Sequence, residues 1–251
     1  MNGMLCRQLA LDYCCGPEEI LAGGNVFTEY RPLEGRRRFR EGEECFLKIA
    51  AVNGKLLFTG KAEVVARCRE RWGACGSEWF FEAKELRALD ALLRAEGRQI
   101  AMVHPFFIAE TPSEVRADGI EIRRYRAEEI EAFRGDERYD EAFSFCPEAP
   151  DVLGVAALKD GEIVGMAGAS ADSPTMWQIG INVEPKARGR GVAALLVALL
   201  KNDILERGVL PFYGTAMSHI ASQRVALAAG FTPAWAELVT EKINLPREEE
   251  K

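Results

Sequence analysis

The chain has 251 residues, 48% of them apolar, which suits one large domain or two smaller ones with a real buried core. A net charge of −7 and a pI near 5.2 argue against a nucleic-acid binder, whose affinity comes from neutralising phosphates. The longest unbroken apolar run, Val192 to Leu200, is far short of the roughly 20 residues needed to cross a bilayer, so no membrane span is expected.

Met1 to Arg7 lacks a basic region followed by a long apolar core, so no secretory signal is expected. Leu9 to Cys15 predicts a helix that would carry the adjacent thiols Cys14 and Cys15. The seven cysteines, at 6, 14, 15, 45, 68, 75 and 146, form no Cys-x-x-Cys pair, and there are only two histidines. Free thiols in a reducing cytoplasm, and no metal site, are the expectation. The cluster Arg36-Arg37-Arg38-Phe39-Arg40 precedes Glu41, Glu43 and Glu44, and reads as a solvated, self-neutralising loop. Cys45 to Val52 and Lys55 to Gly60 flank Asn53-Gly54 and predict a hairpin. Lys61 to Trp72 and Ala83 to Ala95 read as helices, and Gln99 to Ile108 as a strand. The aromatics Trp79, Phe80, Phe81, Phe106 and Phe107 are expected in the core. This half, residues 1–110, predicts a small α+β domain, followed by an aperiodic polar linker over residues 109–119.

Beyond the linker, Ile120 to Tyr125 predicts a strand, and Glu128 to Phe133 and Glu137 to Phe143 two short helices split by Gly135. Val152 to Leu158 and Ile163 to Ser170 flank Asp160-Gly161 and predict a second hairpin. Met176 to Val183 reads as a strand, Gly191 to Arg207 as a helix stopped by Gly208, and Leu210 to Met217 as a strand. Ile220 to Ala229 is a helix and Phe231 to Ile243 a last strand.

The run Lys186-Ala187-Arg188-Gly189-Arg190-Gly191-Val192-Ala193 joins a strand to a helix N-terminus. Small residues there let an anion approach the backbone, and the free N–H groups and dipole of the helix favour negative charge. Arg188 and Arg190 can add charge-assisted hydrogen bonds. A P-loop would need Gly-x-x-x-x-Gly-Lys-Ser/Thr, which is absent. The letters Gly189-x-Gly191-x-x-Ala194 fit a dinucleotide fingerprint, but the next strand, Leu210 to Met217, has no acidic residue for a ribose. A plain surface turn capping a helix is the bland alternative. Arg188-Gly189-Arg190-Gly191-Val192-Ala193 does match every fixed position of the acetyl-CoA loop Arg/Gln-x-x-Gly-x-Gly/Ala.

With this loop, the element order β-α-α-β-β-β-α-β-α-β and the late helix Ala221 to Ala229 running into Gly230-Phe231, the C-terminal half resembles the GNAT superfamily of N-acetyltransferases. The whole chain resembles a bacterial subgroup with an extra N-terminal α+β domain. The resemblance implies an α+β chain whose GNAT fold, with a mixed central sheet, covers residues 119–246. It implies direct acetyl transfer from acetyl-CoA to a primary amine of a small molecule or an exposed amino group, and it admits a homodimer.

On this resemblance Ile181, Asn182 and Val183 line the pantetheine arm, and Arg188, Gly189, Arg190, Gly191, Val192 and Ala193 hold the pyrophosphate. The tyrosine that many relatives use as acid aligns with Ala226, and the strand positions that carry a base in some relatives hold Trp177 and Ile179. Substitutes are sought nearby. Tyr213 is a candidate acid, or a structural tyrosine. His219 is a candidate for bonding CoA or relaying a proton, or a helix cap shared with Ser218. Asp172, beside Ser173, is a candidate for attracting or deprotonating the amine, or a turn residue. Ser222 is a candidate CoA contact. The missing tyrosine and strand base also admit a catalytically weak CoA-binding sensor or partner-binding module.

Overall fold

Two tight turns fix strand registers in this protein. In the computed structural model, which describes residues 1–37, 45–117 and 119–243, β2 (Leu47–Val52) and β3 (Lys55–Gly60) pair antiparallel around Asn53-Gly54. Likewise β6 (Asp151–Lys159) and β7 (Glu162–Ser170) pair around Asp160-Gly161. All four turn residues have positive φ, between 50° and 80°, as the two-residue turn that matches strand twist requires.

The chain divides into two compact units that interleave in sequence. Among the described residues, the first comprises Met1–Asp12, 34–37 and Pro105–Ala234; the second comprises Tyr13–Leu33, 45–104 and 235–243. The expected break over 109–119 falls within the first unit. The two strands that pass between units are β4 (Arg98–Ile108) and β10 (Thr232–Lys242).

In the first unit, β5 (Glu121–Arg126), β6, β7 and β8 (Met176–Val183) form an antiparallel series. Next to β8 lies β9 (Leu210–Gly214), parallel to it, and the end of β4 pairs antiparallel with β9. The result is the expected mixed arrangement. α6 (Val192–Leu205) and α7 (Ile220–Ala228) cover one face, burying Ile179, Leu196, Leu200, Tyr213 and Phe231 together. The other face carries Tyr125, Tyr139, Phe143 and Met166. There the expected helix over 137–143 is only a 3₁₀ turn, Glu137–Tyr139, because the chain beyond it lies flat on the strands. A Cβ on Gly180 would stand 1.8 Å from the Glu141 carbonyl oxygen, and one on Gly168 2.0 Å from that of Ala142. Glycine is what permits this approach. The earlier helix, expected over 128–133, is also short, α5 (Ala127–Ile130) followed by a 3₁₀ turn.

The first helix, α1 (Gly3–Asp12), begins and ends earlier than Leu9–Cys15, so Cys14 lies past it with φ 54°. Within the first unit Gln8 accepts a hydrogen bond from Ser173 at 2.8 Å. Arg37, expected in a solvated loop, is 5% exposed, paired with Asp12 at 2.5 Å and set over the rings of Phe106 and Phe212. The remainder of that arginine–glutamate stretch, residues 38–44, and the tail 244–251 lie outside the described residues.

In the second unit β1 (Val26–Glu29) lies parallel to β3, and β10 antiparallel to β2. This unit also contains α2 (Pro17–Leu21), α3 (Ala62–Trp72) and α4 (Ala83–Arg94). Its core gathers Phe58, Trp72, Phe80 and Leu89. Trp79, expected inside, is 76% exposed: it sits on the turn before α4 while its neighbour Phe80 fills the core. No helix among the described residues is long and apolar enough to cross a membrane.

Two outcomes test this packing. Gly180→Ala should cost about 1–3 kcal/mol of stability in urea unfolding, the range for overpacking a filled site. The Lys201 ammonium on α6 is 1% exposed and hydrogen-bonded to Ser113, and burial pulls its pKa below the usual 10.5. The unfolded chain therefore holds this proton more tightly. Wild-type stability should rise with pH as Lys201 deprotonates in the fold and continue rising towards 10.5, and Lys201→Met should lack that component.

Candidate active site

β8 is paired on its two sides to different extents. Towards β7 the pairing runs from Gln178 to Val183, whereas towards β9 it covers only Met176, Trp177 and Gln178, opposite Leu210, Pro211 and Phe212. From Ile179 onward the two parallel strands part. The backbone groups of β8 that face this gap have no strand to satisfy them, and residues 180–183 are all half-buried. Side-chain alternation sends Ile181 and Val183 towards the α6 core. What these residues offer the gap is main chain.

The gap leads to the glycine-rich turn. Pro185–Ala187 makes a 3₁₀ turn, and Arg188 then donates from Nε to the Val183 carbonyl at 3.0 Å, folding the loop back on the end of β8. Gly191 caps α6 with φ 79°, in the left-handed region, and no side chain caps the helix. Its carbonyl accepts the Leu195 N–H at 3.0 Å, so the amides of the first turn point outward without intrahelical acceptors. Nothing lies within 4 Å of a Cβ built on Gly189 or Gly191. Arg188 and Arg190 are exposed beside this space, Val192 anchors the helix start in the core, and Ala193 is half-buried. Open space, outward amides, two guanidiniums and a helix dipole together fit a pyrophosphate.

The remaining expected residues fall in three places. Tyr213, on β9 just past the last pairing with β8, is 2% exposed. Its hydroxyl lies 2.8 Å from the Ser222 Oγ on α7, bringing these two together. Burial raises the Tyr213 pKa above 10, the Ser222 hydrogen bond partly offsets this, and the Glu141 carboxylate raises it further. His219 is exposed at the head of α7 and its side chain makes no cap; Gln223 instead donates to the Met217 carbonyl at 2.7 Å. Asp172 lies before the start of β8, away from the loop. It is 6% exposed, accepting from the Ser170 hydroxyl at 2.7 Å, while Ser173 receives the Met176 N–H at 2.9 Å.

Asn182 has a second task that its strand position did not announce. Its Oδ1 accepts the N–H groups of Glu141 and Ala142, at 3.0 and 2.7 Å, and its Nδ2 donates to Asp140 at 3.0 Å. The segment 140–142 is thereby held over β8 beside the gap, with the Glu141 side chain exposed. The available signal was the pair of glycines inside strands, Gly168 and Gly180, which marks a close backbone approach.

Residues 120–231 match the model of the Acetyltransferase (GNAT) family. No curated protein matches the chain. Solved structures similar to it include a GCN5-related N-acetyltransferase-like protein from Streptococcus suis 89/1591, 16% identical, covering 96% of this chain and 100% of that one at a TM-score of 0.48. A GCN5-related N-acetyltransferase from Sphaerobacter thermophilus is 17% identical, covering 96% and 92% at 0.49. One from Kribbella flavida is 21% identical, covering 62% and 63% at 0.45. The family match thus covers residues 120–231, a GNAT acetyltransferase domain within the chain.

Proposed function

We propose that this chain transfers the acetyl group of acetyl-CoA directly to a primary amine of a small molecule or exposed amino group, with no acyl-enzyme. The observation that carries this reading is the parting of β8 from β9 after Gln178, beside a loop whose amides and arginines face open space.

In this reading the amides of Gly189 to Ala193 and the guanidiniums of Arg188 and Arg190 hold the pyrophosphate. The main chain of Ile181, Asn182 and Val183 bonds the pantetheine arm, taking the place of the missing strand. His219 and Ser222, at the head of α7, are the remaining contacts to the cosubstrate. Acetyl-CoA supplies the activated acyl group; the chain supplies orientation and proton traffic.

Tyr213 is the proton donor in this scheme. Burial raises its pKa, and its hydroxyl is hydrogen-bonded to the half-buried Ser222. Asp172 is given no chemical role, since its carboxylate is turned into the buried turn before β8.

Calorimetric titration with acetyl-CoA tests the site. Arg188→Ala should weaken binding by about 1.5–3 kcal/mol, the scale of a hydrogen bond to a charged group. Gly191→Val should abolish binding, because it places a side chain in the anion's space and forces a β-branched residue to positive φ. Unchanged affinity in both variants would remove the assignment. Tyr213→Phe should leave acetyl-CoA affinity unchanged and lower turnover by about 10²–10⁴. Binding with no thiol release across a broad amine panel would mark the chain as a CoA sensor instead.

A further inference from the structure

Resting on that reading, we infer that Glu141 is the base of this enzyme and that it selects an acceptor arriving as an alkylammonium ion. Three features set Glu141 at the gap. Its carbonyl lies against Gly180, two residues beyond the last β8–β9 pair, at a distance no Cβ would tolerate. Asn182, on the unpaired half of β8, grips the segment from three sides through Asp140, Glu141 and Ala142. Tyr139 and Phe143, both buried, pin its two ends into the core of that face.

The main chain is thus fixed while the Glu141 side chain is exposed and has no hydrogen-bond or ion-pair partner among the described residues. The groups around it do not neutralise it. Asp140 is engaged by Asn182, Arg138 is taken by Asp136 at 2.6 Å, and Glu184 adds negative charge near Arg138 and Tyr139. A carboxylate so placed attracts a cation.

The phenol of Tyr213 lies on the opposite face, with Ile179, and Glu141 on the face of Gly180 and Asn182. The Glu141 carboxylate also contributes to raising the Tyr213 pKa. Protons and electron pairs balance across the transfer. The ammonium gives its first proton to the Glu141 carboxylate, which passes it to water. The amine nitrogen then forms the C–N bond, the C–S bond breaks, Tyr213 gives its proton to the departing sulfur, and the nitrogen's second proton passes through water to restore the Tyr213 phenol.

The test uses the full chain, acetyl-CoA and two nucleophiles: 1,4-diaminobutane, cationic at pH 7, and hydroxylamine, largely neutral there. Thiol release is followed from pH 6.5 to 10 for wild type, Glu141→Gln and Glu141→Asp, with acetyl-CoA affinity measured alongside. Glu141→Gln should lose about 10²–10⁴-fold in kcat/KM for diaminobutane at pH 7. That deficit should shrink as pH approaches the amine's own pKa, while hydroxylamine turnover changes less than about threefold. Glu141→Asp should recover part of the loss. An equal loss for both nucleophiles, a deficit independent of pH, or no loss at all overturns the inference, as does wild-type transfer to neither. Failure of the wild-type chain to bind acetyl-CoA would strike the proposed function itself.

Discussion

The site depends on a parallel strand pair that stops early. β8 and β9 share only the pairing from Met176 to Gln178, and past it one side of β8 presents unpaired N–H and C=O groups. Buried backbone groups must find partners, so such a gap persists only where water or a ligand's amides can supply them. The same parting sets the course of the loop beyond β8. The chain leaves β8 through the Pro185 turn, Arg188 ties it back to Val183, and Gly191 swings it into α6 with the first amides facing the opening. Had β9 stayed paired to the end of β8, the strand would be satisfied and the loop would have no channel beside it.

The opposite face is built to complementary rules. Two glycines in adjacent strands cost conformational entropy, roughly 0.5–1 kcal/mol each relative to alanine. In return, the main chain of residues 141–142 rests directly on β7 and β8, and Asn182 supplies the acceptor and donor that an irregular segment lacks. These hydrogen bonds tie the main chain of an irregular segment to a rigid strand.

Much of this was legible in the sequence because the governing interactions are local. Asn53-Gly54 and Asp160-Gly161 announce hairpins through turn chemistry, and β8 runs from Met176 to Val183 as its apolar run predicts. The loop and α6 follow from glycine and arginine spacing. What escaped was tertiary. α2 and β1 are short, and β1 is held by its pairing with β3 and not by its own pattern. The expectation of continuous halves, 1–110 and 119–246, does not anticipate that Met1–Asp12 joins the first unit, since a chain's return path is set by packing partners far away. Arg37 reads as a surface charge until Asp12 and two aromatic rings enclose it. Glu141 sits in a stretch whose helical pattern is overridden by the glycines beneath it, so its place at the gap cannot be read from its neighbours.

The position of the phenol is set by the same packing. Ser222 and Ala226 are one turn apart on α7 and therefore share a face, the one turned towards β9. Tyr213 fills the space against that face: its hydroxyl meets Ser222, its ring meets Phe231 edge-on with centroids 6.1 Å apart, and Ala226 is fully buried beside them. A tyrosine at 226 would compete for the volume the Tyr213 ring already occupies, so a small residue on the helix and a large one on the strand belong together. In the proposed chemistry this moves the proton donor from helix to strand. A phenol rooted in β9 is fixed by strand pairing and by the core, and its hydroxyl is held against Ser222. The helix is then left free to present its head, with His219 and Ser222, to the cosubstrate.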